Sequence, residues 1–177
     1  MAYVECIIWP FSDDIDHYEM RCRAMKKGHT HYIAKALIDT TSTANFIRKS
    51  VADKLGIKYN IPPKDSPFYD PNMLGYTILD LSFRYKGEDR LLSGFGRPFN
   101  YFTVVDEAKA DLVFGLPWMD FRETTIDLRK RRIKICAKSI PLLFKDPNTG
   151  EFLSKQNSRS DSDFEKQAHE VSSIIYP

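Results

Sequence analysis

Between His31 and Ile38 apolar and polar residues roughly alternate, as on a strand with one face turned inward, and the run ends directly on an aspartate, Asp39. The polar cluster Thr40-Thr41-Ser42-Thr43 follows. Phe46, Ile47, Val51, Ala52 and Leu55 then recur at helical spacing up to Gly56, which predicts a helix from about Ala44 to Leu55. A strand, a tight polar turn carrying a carboxylate and a short amphipathic helix thus succeed one another, and the rest of the chain has to accommodate that order.

The remaining pattern is that of a β protein. His17–Ala24 alternates like the strand before Asp39, and Lys26-Lys27-Gly28-His29 between the two runs supplies a turn, so a hairpin is the economical reading. The four prolines Pro62, Pro63, Pro67 and Pro71 break any regular pattern between Asn60 and Gly75, which predicts an excursion over the surface. Tyr76–Tyr85 and Tyr101–Val105 read as strands, and Leu112-Val113-Phe114 is a short apolar run ended by Gly115. Leu116–Phe121 fits one or two helical turns, and Thr125–Leu128 pairs with Ile133–Ile135 as a last hairpin across Arg129–Arg132.

Totals narrow the class further. With 177 residues, 42% apolar and 13% aromatic, the chain carries enough large side chains for one globular domain plus peripheral sequence. Twenty-six basic and 24 acidic side chains are interspersed, so no field strong enough to capture nucleic acid follows, and nucleic acid is not an expected partner. Cys6, Cys22 and Cys136 form an odd count without a CxxC pair, which points to free thiols and a cytoplasmic or nuclear setting. The run Cys6–Trp9 lacks a basic flank and is stopped by Pro10 and nearby acids, so it does not read as a secretion signal. No run approaches the length of a membrane span, and no membrane association is expected. The expected organisation is an N-terminal arm over 1–16, a β domain over 17–140, and a polar tail over 141–177 that lacks apolar residues to bury and is expected to be disordered.

Ala36-Leu37-Ile38-Asp39-Thr40-Thr41-Ser42-Thr43, with Asn45-Phe46-Ile47 after it, resembles the active-site region of retropepsins, above all those of gypsy-type long-terminal-repeat retrotransposons. Asp111-Leu112-Val113-Phe114-Gly115-Leu116-Pro117-Trp118 resembles the family's apolar-apolar-Gly segment and the helix it enters. Ile126–Ile135 is similar to the strand pair that follows in the retrotransposon members. The resemblance runs from about Lys35 to Ile135 and implies an all-β, closed retropepsin-like (acid protease) barrel with one short helix, acting as a homodimer on an extended peptide, without metal or cofactor. It makes Asp39 the water-activating carboxylate contributed by each subunit and Thr40 the hydroxyl that locks the two active-site turns together. Thr41 and Ser42 complete the turn, with Gly115 in the loop packed against it. Two departures stand out. Thr41 occupies the family's glycine position, and the segment between Asn60 and Tyr76, where the flap belongs, is rich in proline.

Plainer readings compete at each of these residues. An aspartate after a strand commonly serves as a turn or helix-cap residue, and Asp39-Thr40-Thr41-Ser42 suits that role. His29-x-His31, with His17 and Cys22 nearby, lacks the spaced cysteine pair of a zinc site and reads as hairpin surface. Ser42 has no nucleophile-elbow glycines around it. Gly94-Phe95-Gly96 lacks the third glycine and the strand-to-helix setting of a dinucleotide loop, and Arg129–Arg132 is a solvated turn before it is a nucleic-acid patch. Two functions therefore remain: an aspartic endopeptidase, or a non-catalytic descendant of the fold that dimerises or binds peptide. Thr41 in the glycine position favours the second. Retention of Asp39 and Thr40 favours the first, because an unpaired charge at an interface is costly.

Overall fold

In the computed structural model, described for residues 1–9, 30–67, 69–85, 91–92 and 101–153, the apolar run near the N-terminus is a strand. This strand, β1 (Ala2–Trp9), pairs antiparallel with β2 (Tyr32–Ile38) along its length, from Ala2 opposite Ile38 to Ile8 opposite Tyr32. Its C-terminal end also pairs with β5 (Asp80–Arg84), and the successive residues Cys6, Ile7, Ile8 and Trp9 are all buried, so both faces of the strand are covered there. Residues 2–9 are thus part of the sheet rather than an arm beside it. Burial pushes the Cys6 thiol far above its ordinary value, which leaves it a small inert core residue.

The order of pairing explains how the Asp39 turn is held. β8 (Leu112–Phe114) runs parallel to β2, with Leu37 opposite Val113 and Ile38 opposite Phe114. On its other side it runs antiparallel to β3 (Phe46–Arg48), with Phe46 opposite Val113. The chain therefore leaves β2, turns through residues 39–45 and returns as β3, with β8 inserted between the two arms like the central stroke of a ψ. β3 also pairs in parallel with β7 (Tyr101–Val105), which carries β4 (Gly75–Ile78) on its outer side.

Leu79 interrupts the run expected as one strand over Tyr76–Tyr85. Its first part stays with β7 and its second, β5, moves to β1 and to β6 (Leu91–Leu92). The expected hairpin near the end forms as β9 (Thr125–Asp127) and β10 (Arg132–Ile135). Beyond it β11 (Lys138–Phe144) completes the sheet order β4-β7-β3-β8-β2-β1-β11-β10-β9.

The helix after the turn is shorter than its sequence spacing predicts: α1 spans Lys49–Lys54, and Phe46–Arg48 are strand. Ile47 and Phe46 fit a helical stripe, yet the same side chains are β-branched and aromatic, and β7 and β8 offer a pairing partner on each side. Tertiary pairing wins over local propensity there. The C-terminus of α1 is closed where Gly56, at φ +64°, donates its N–H to the Asp53 carbonyl.

Below the turn sits an aromatic cluster. Phe114 stacks on Trp118 of α2 (Leu116–Phe121) with ring centroids 4.0 Å apart, while Phe83 and Phe102 approach Phe114 at 6.0 Å. All four are fully buried, and each contributes roughly 2–3 kcal/mol by removal from water. The chain divides into a compact unit, Met1–Leu143, and a second beginning at Phe144. Within that second unit Lys145 bridges Phe152 around a turn in which Asp146 accepts the Asn148 N–H. The expected His17–Ala24 strand, His17, Cys22, His29, Gly94–Gly96 and the tail beyond Leu153 lie outside the described residues.

Candidate active site around Asp39

Several backbone groups of the 39–45 turn are tied to its neighbours. The Asp39 N–H donates to the Phe114 carbonyl (3.0 Å), the Ser42 N–H to the Asp39 carbonyl (3.2 Å), and the Leu116 N–H to the Ser42 carbonyl (2.9 Å). Ser42 Oγ donates to the Ala44 carbonyl at 2.7 Å. The buried amide of Asn45 fastens two further segments: its Oδ1 accepts the Gly115 N–H (3.0 Å) and its Nδ2 donates to the Tyr101 carbonyl (3.1 Å). Gly115 lies so close that a Cβ built on it would stand 2.2 Å from the Ala44 carbonyl oxygen and 2.9 Å from that of Ser42. Only a glycine permits this approach.

Asp39 itself is 9% exposed, and both its carboxylate oxygens are occupied. Oδ1 accepts the Thr41 hydroxyl at 2.6 Å and the Thr41 N–H at 3.1 Å. Oδ2 accepts the Lys109 ammonium at 2.7 Å. The Lys109 ammonium first, then the Thr41 hydroxyl and N–H, hold the carboxyl below its ordinary range, at about 2, against the opposing effect of burial. Within one chain Asp39 is a fully ionised carboxylate at neutral pH.

Thr40 and Thr41 are exposed and Ser42 half-buried. Thr41 is not among the described non-glycine residues with positive φ, so its side chain fits the turn without left-handed backbone. What it changes is the hydrogen bonding, since a glycine there would offer Asp39 the N–H but no hydroxyl. The structure brings Asp39, Thr41, Ser42 and Gly115 into one cluster and leaves Thr40 on its rim.

Two residues of this site carry no assigned role in the sequence reading. Asn45 is visible in the sequence only as a polar residue inside an apolar run. Lys109 stands 70 positions from Asp39 in the acidic-basic stretch Asp106-Glu107-Ala108-Lys109, and nothing local marks it as an aspartate's partner. Its segment is braced from below. Arg48 donates to the Ala108 carbonyl (2.8 Å) and to Asp111 Oδ1 (3.0 Å), while the Tyr32 hydroxyl donates to Asp111 Oδ2 (2.6 Å). That bond to Asp111, then burial and the Asp111 charge, push the Tyr32 phenol up to about 12, with Arg48 acting the other way.

The proline-rich excursion is closed at its neck by Asn60 and Tyr76, which exchange backbone hydrogen bonds at 2.9 and 2.8 Å. Between them the described hydrogen bonds are local turns, such as Ser66 N–H to the Pro63 carbonyl, until Leu74 donates to Val104.

The chain is similar in structure to the retroviral protease-like domain of Ddi1 from Leishmania major, with a TM-score of 0.53 and 16% sequence identity over 82% of this chain and 98% of that one. No protein-family model and no curated protein matches the sequence. At this identity the likeness concerns the fold, which is retropepsin-like and mostly β. No helix among the described residues is long and apolar enough to cross a membrane.

Proposed function

We propose that the chain is a retropepsin-like aspartic endopeptidase domain that works as a homodimer, each copy contributing Asp39, on an extended peptide lying beneath the 61–74 excursion. The observation that carries this reading is the position of Asp39. It sits where β2 ends, in a turn clasped by β8 and pressed by Gly115, within a retroviral protease-like fold.

The chemistry requires the second copy. Two carboxylates within hydrogen-bond reach cannot both ionise, so one keeps a proton. The ionised one takes a proton from water as the water oxygen attacks the scissile carbonyl, and the protonated one supplies a proton as the tetrahedral species collapses to acid and amine. Thr40, exposed at the rim, is the residue assigned to join the two turns. The partners are a second copy and a peptide, and the buried Cys6 and exposed Cys136 thiols suit a reducing, cytoplasmic or nuclear compartment.

One observation favours a second reading, a non-catalytic dimerisation or peptide-binding module: both oxygens of Asp39 are already satisfied within the chain. Cleavage of a peptide library between pH 4 and 7 by wild type, Asp39→Asn and Thr41→Gly, with oligomeric state measured in parallel, separates the two. The peptidase reading expects cleavage that Asp39→Asn abolishes and Thr41→Gly increases, because the glycine removes a donor that favours the ionised form. A dimer in which neither wild type nor Thr41→Gly cleaves anything supports the binding module. Equal cleavage by wild type and Asp39→Asn rules out the aspartic mechanism.

A further inference from the structure

We propose that Lys109 is a built-in counter-ion that occupies the Oδ2 position at which Asp39 would share a proton with a second carboxylate, so that Lys109 must swing away before an aspartate pair can form. The inference rests on the peptidase reading of Asp39 and adds to it a restraint located in this chain.

Three observations carry it. The contact is a charge-assisted hydrogen bond of 2.7 Å to the oxygen that Thr41 leaves open. The segment bearing Lys109 is fixed on both sides of that residue: Arg48 holds the Ala108 carbonyl before it and the Asp111 carboxylate after it, and Tyr32 holds the same carboxylate. The aim of the lysine stem is therefore set by the scaffold. Yet the side chain is 66% exposed, against 9% for Asp39, so the ammonium can exchange Asp39 for water at small cost. A fixed base with a solvated head makes a displaceable latch.

The charges around the pair make its consequence specific. Asp111 is engaged by Arg48 and Tyr32, Asp106 and Glu107 are exposed on the same segment, and on the opposite side Thr41 donates to Asp39 Oδ1. With the ammonium in place the Asp39 charge is balanced without a proton. Two such sites brought together would present two ionised carboxylates and no acid to protonate the departing amine. Displacing Lys109 lets one proton stand between the two carboxylates instead.

The test uses the full chain with Lys109→Met, which keeps the stem and removes the charge, and Lys109→Arg, which keeps the charge. The Asp39 carboxyl is titrated by carbon-13 NMR, and peptide cleavage is followed against pH. In Lys109→Met the titration midpoint is expected to rise by at least about one pH unit. Cleavage at pH 6 is expected to rise about tenfold, the rate equivalent of that shift, whereas Lys109→Arg stays near wild type. An unmoved midpoint in a folded Lys109→Met overturns the proposal. So does a moved midpoint with wild-type cleavage. A moved midpoint with no cleavage by any variant leaves the counter-ion assignment standing and removes the peptidase reading instead.

Discussion

Two loops of this molecule are built on opposite principles. The 39–45 turn is fastened along its length to β8, to the Gly115 loop and to β7 through the Asn45 amide. The 61–74 excursion is closed at its neck and by the Leu74 N–H on the Val104 carbonyl, and its other described hydrogen bonds are local, with Ile61 71% exposed. Segments whose backbone bonds face solvent and whose side chains bury little open at low free energy, whereas a turn tied to core strands opens only with the fold. The difference assigns them different work. One holds a carboxylate in place, and the other is the segment that the proposed function sets over a peptide.

The sharpest way to break this contrast is Gly115→Ala. A methyl group 2.2 Å from the Ala44 carbonyl oxygen cannot be relieved by rotating a side chain, so two backbone segments must separate. A loss of about 3 kcal/mol or more in urea unfolding is expected, against less than about 0.5 kcal/mol for Ile61→Ser in the excursion. Equal losses would mean that the Asp39 turn is no more constrained than the excursion.

Asn45→Ala comes next, because it strands a buried Gly115 N–H and a Tyr101 carbonyl at once. A cost of roughly 2 kcal/mol is expected from the same unfolding measurement. Hydrogen exchange would sharpen the result, since amides of 112–116 and 39–45 should lose protection together while those of 61–73 stay as they were.

A smaller effect should appear at Asp39. Its folded-state value, about 2, lies below the ordinary 3.8, so the stabilisation is fully present above about pH 4 and is lost as pH falls through 2. Asp39→Asn should therefore cost about 1 kcal/mol at pH 7, a figure already reduced for the solvent around Lys109, a small fraction of that at pH 2, and nothing below about pH 1. Stability curves of the two proteins that stay parallel from pH 7 to pH 2 would show that the carboxylate gains nothing from its neighbours.

How far these features were legible in the sequence depends on whether the cause is local. The β2 strand, β7, β8, the short α2 helix and the β9–β10 hairpin follow from alternation and turn residues, and each forms where the pattern indicates. Asp39 and Gly115 stand out because each interrupts an apolar run. The pattern fails where pairing at long range decides. Phe46–Arg48 carries a helical stripe but is drawn into strand by β7 and β8. Ala2–Trp9 has too little alternation to announce that both its edges are used. Lys109 reaches Asp39 only because β8 brings the chain back beside β2, a consequence of topology that no short window contains.

If Asp39 from two copies forms one proton-sharing pair, a crystal structure of the dimer will show it in the distance between the two Asp39 carboxylates. The nearest oxygens are expected to lie within hydrogen-bond reach, about 2.5–3.2 Å, with Lys109 turned away from Oδ2. A dimer that leaves the carboxylates more than about 6 Å apart, each still bound to its own Lys109, would contradict it, because charges so separated have no need to share a proton.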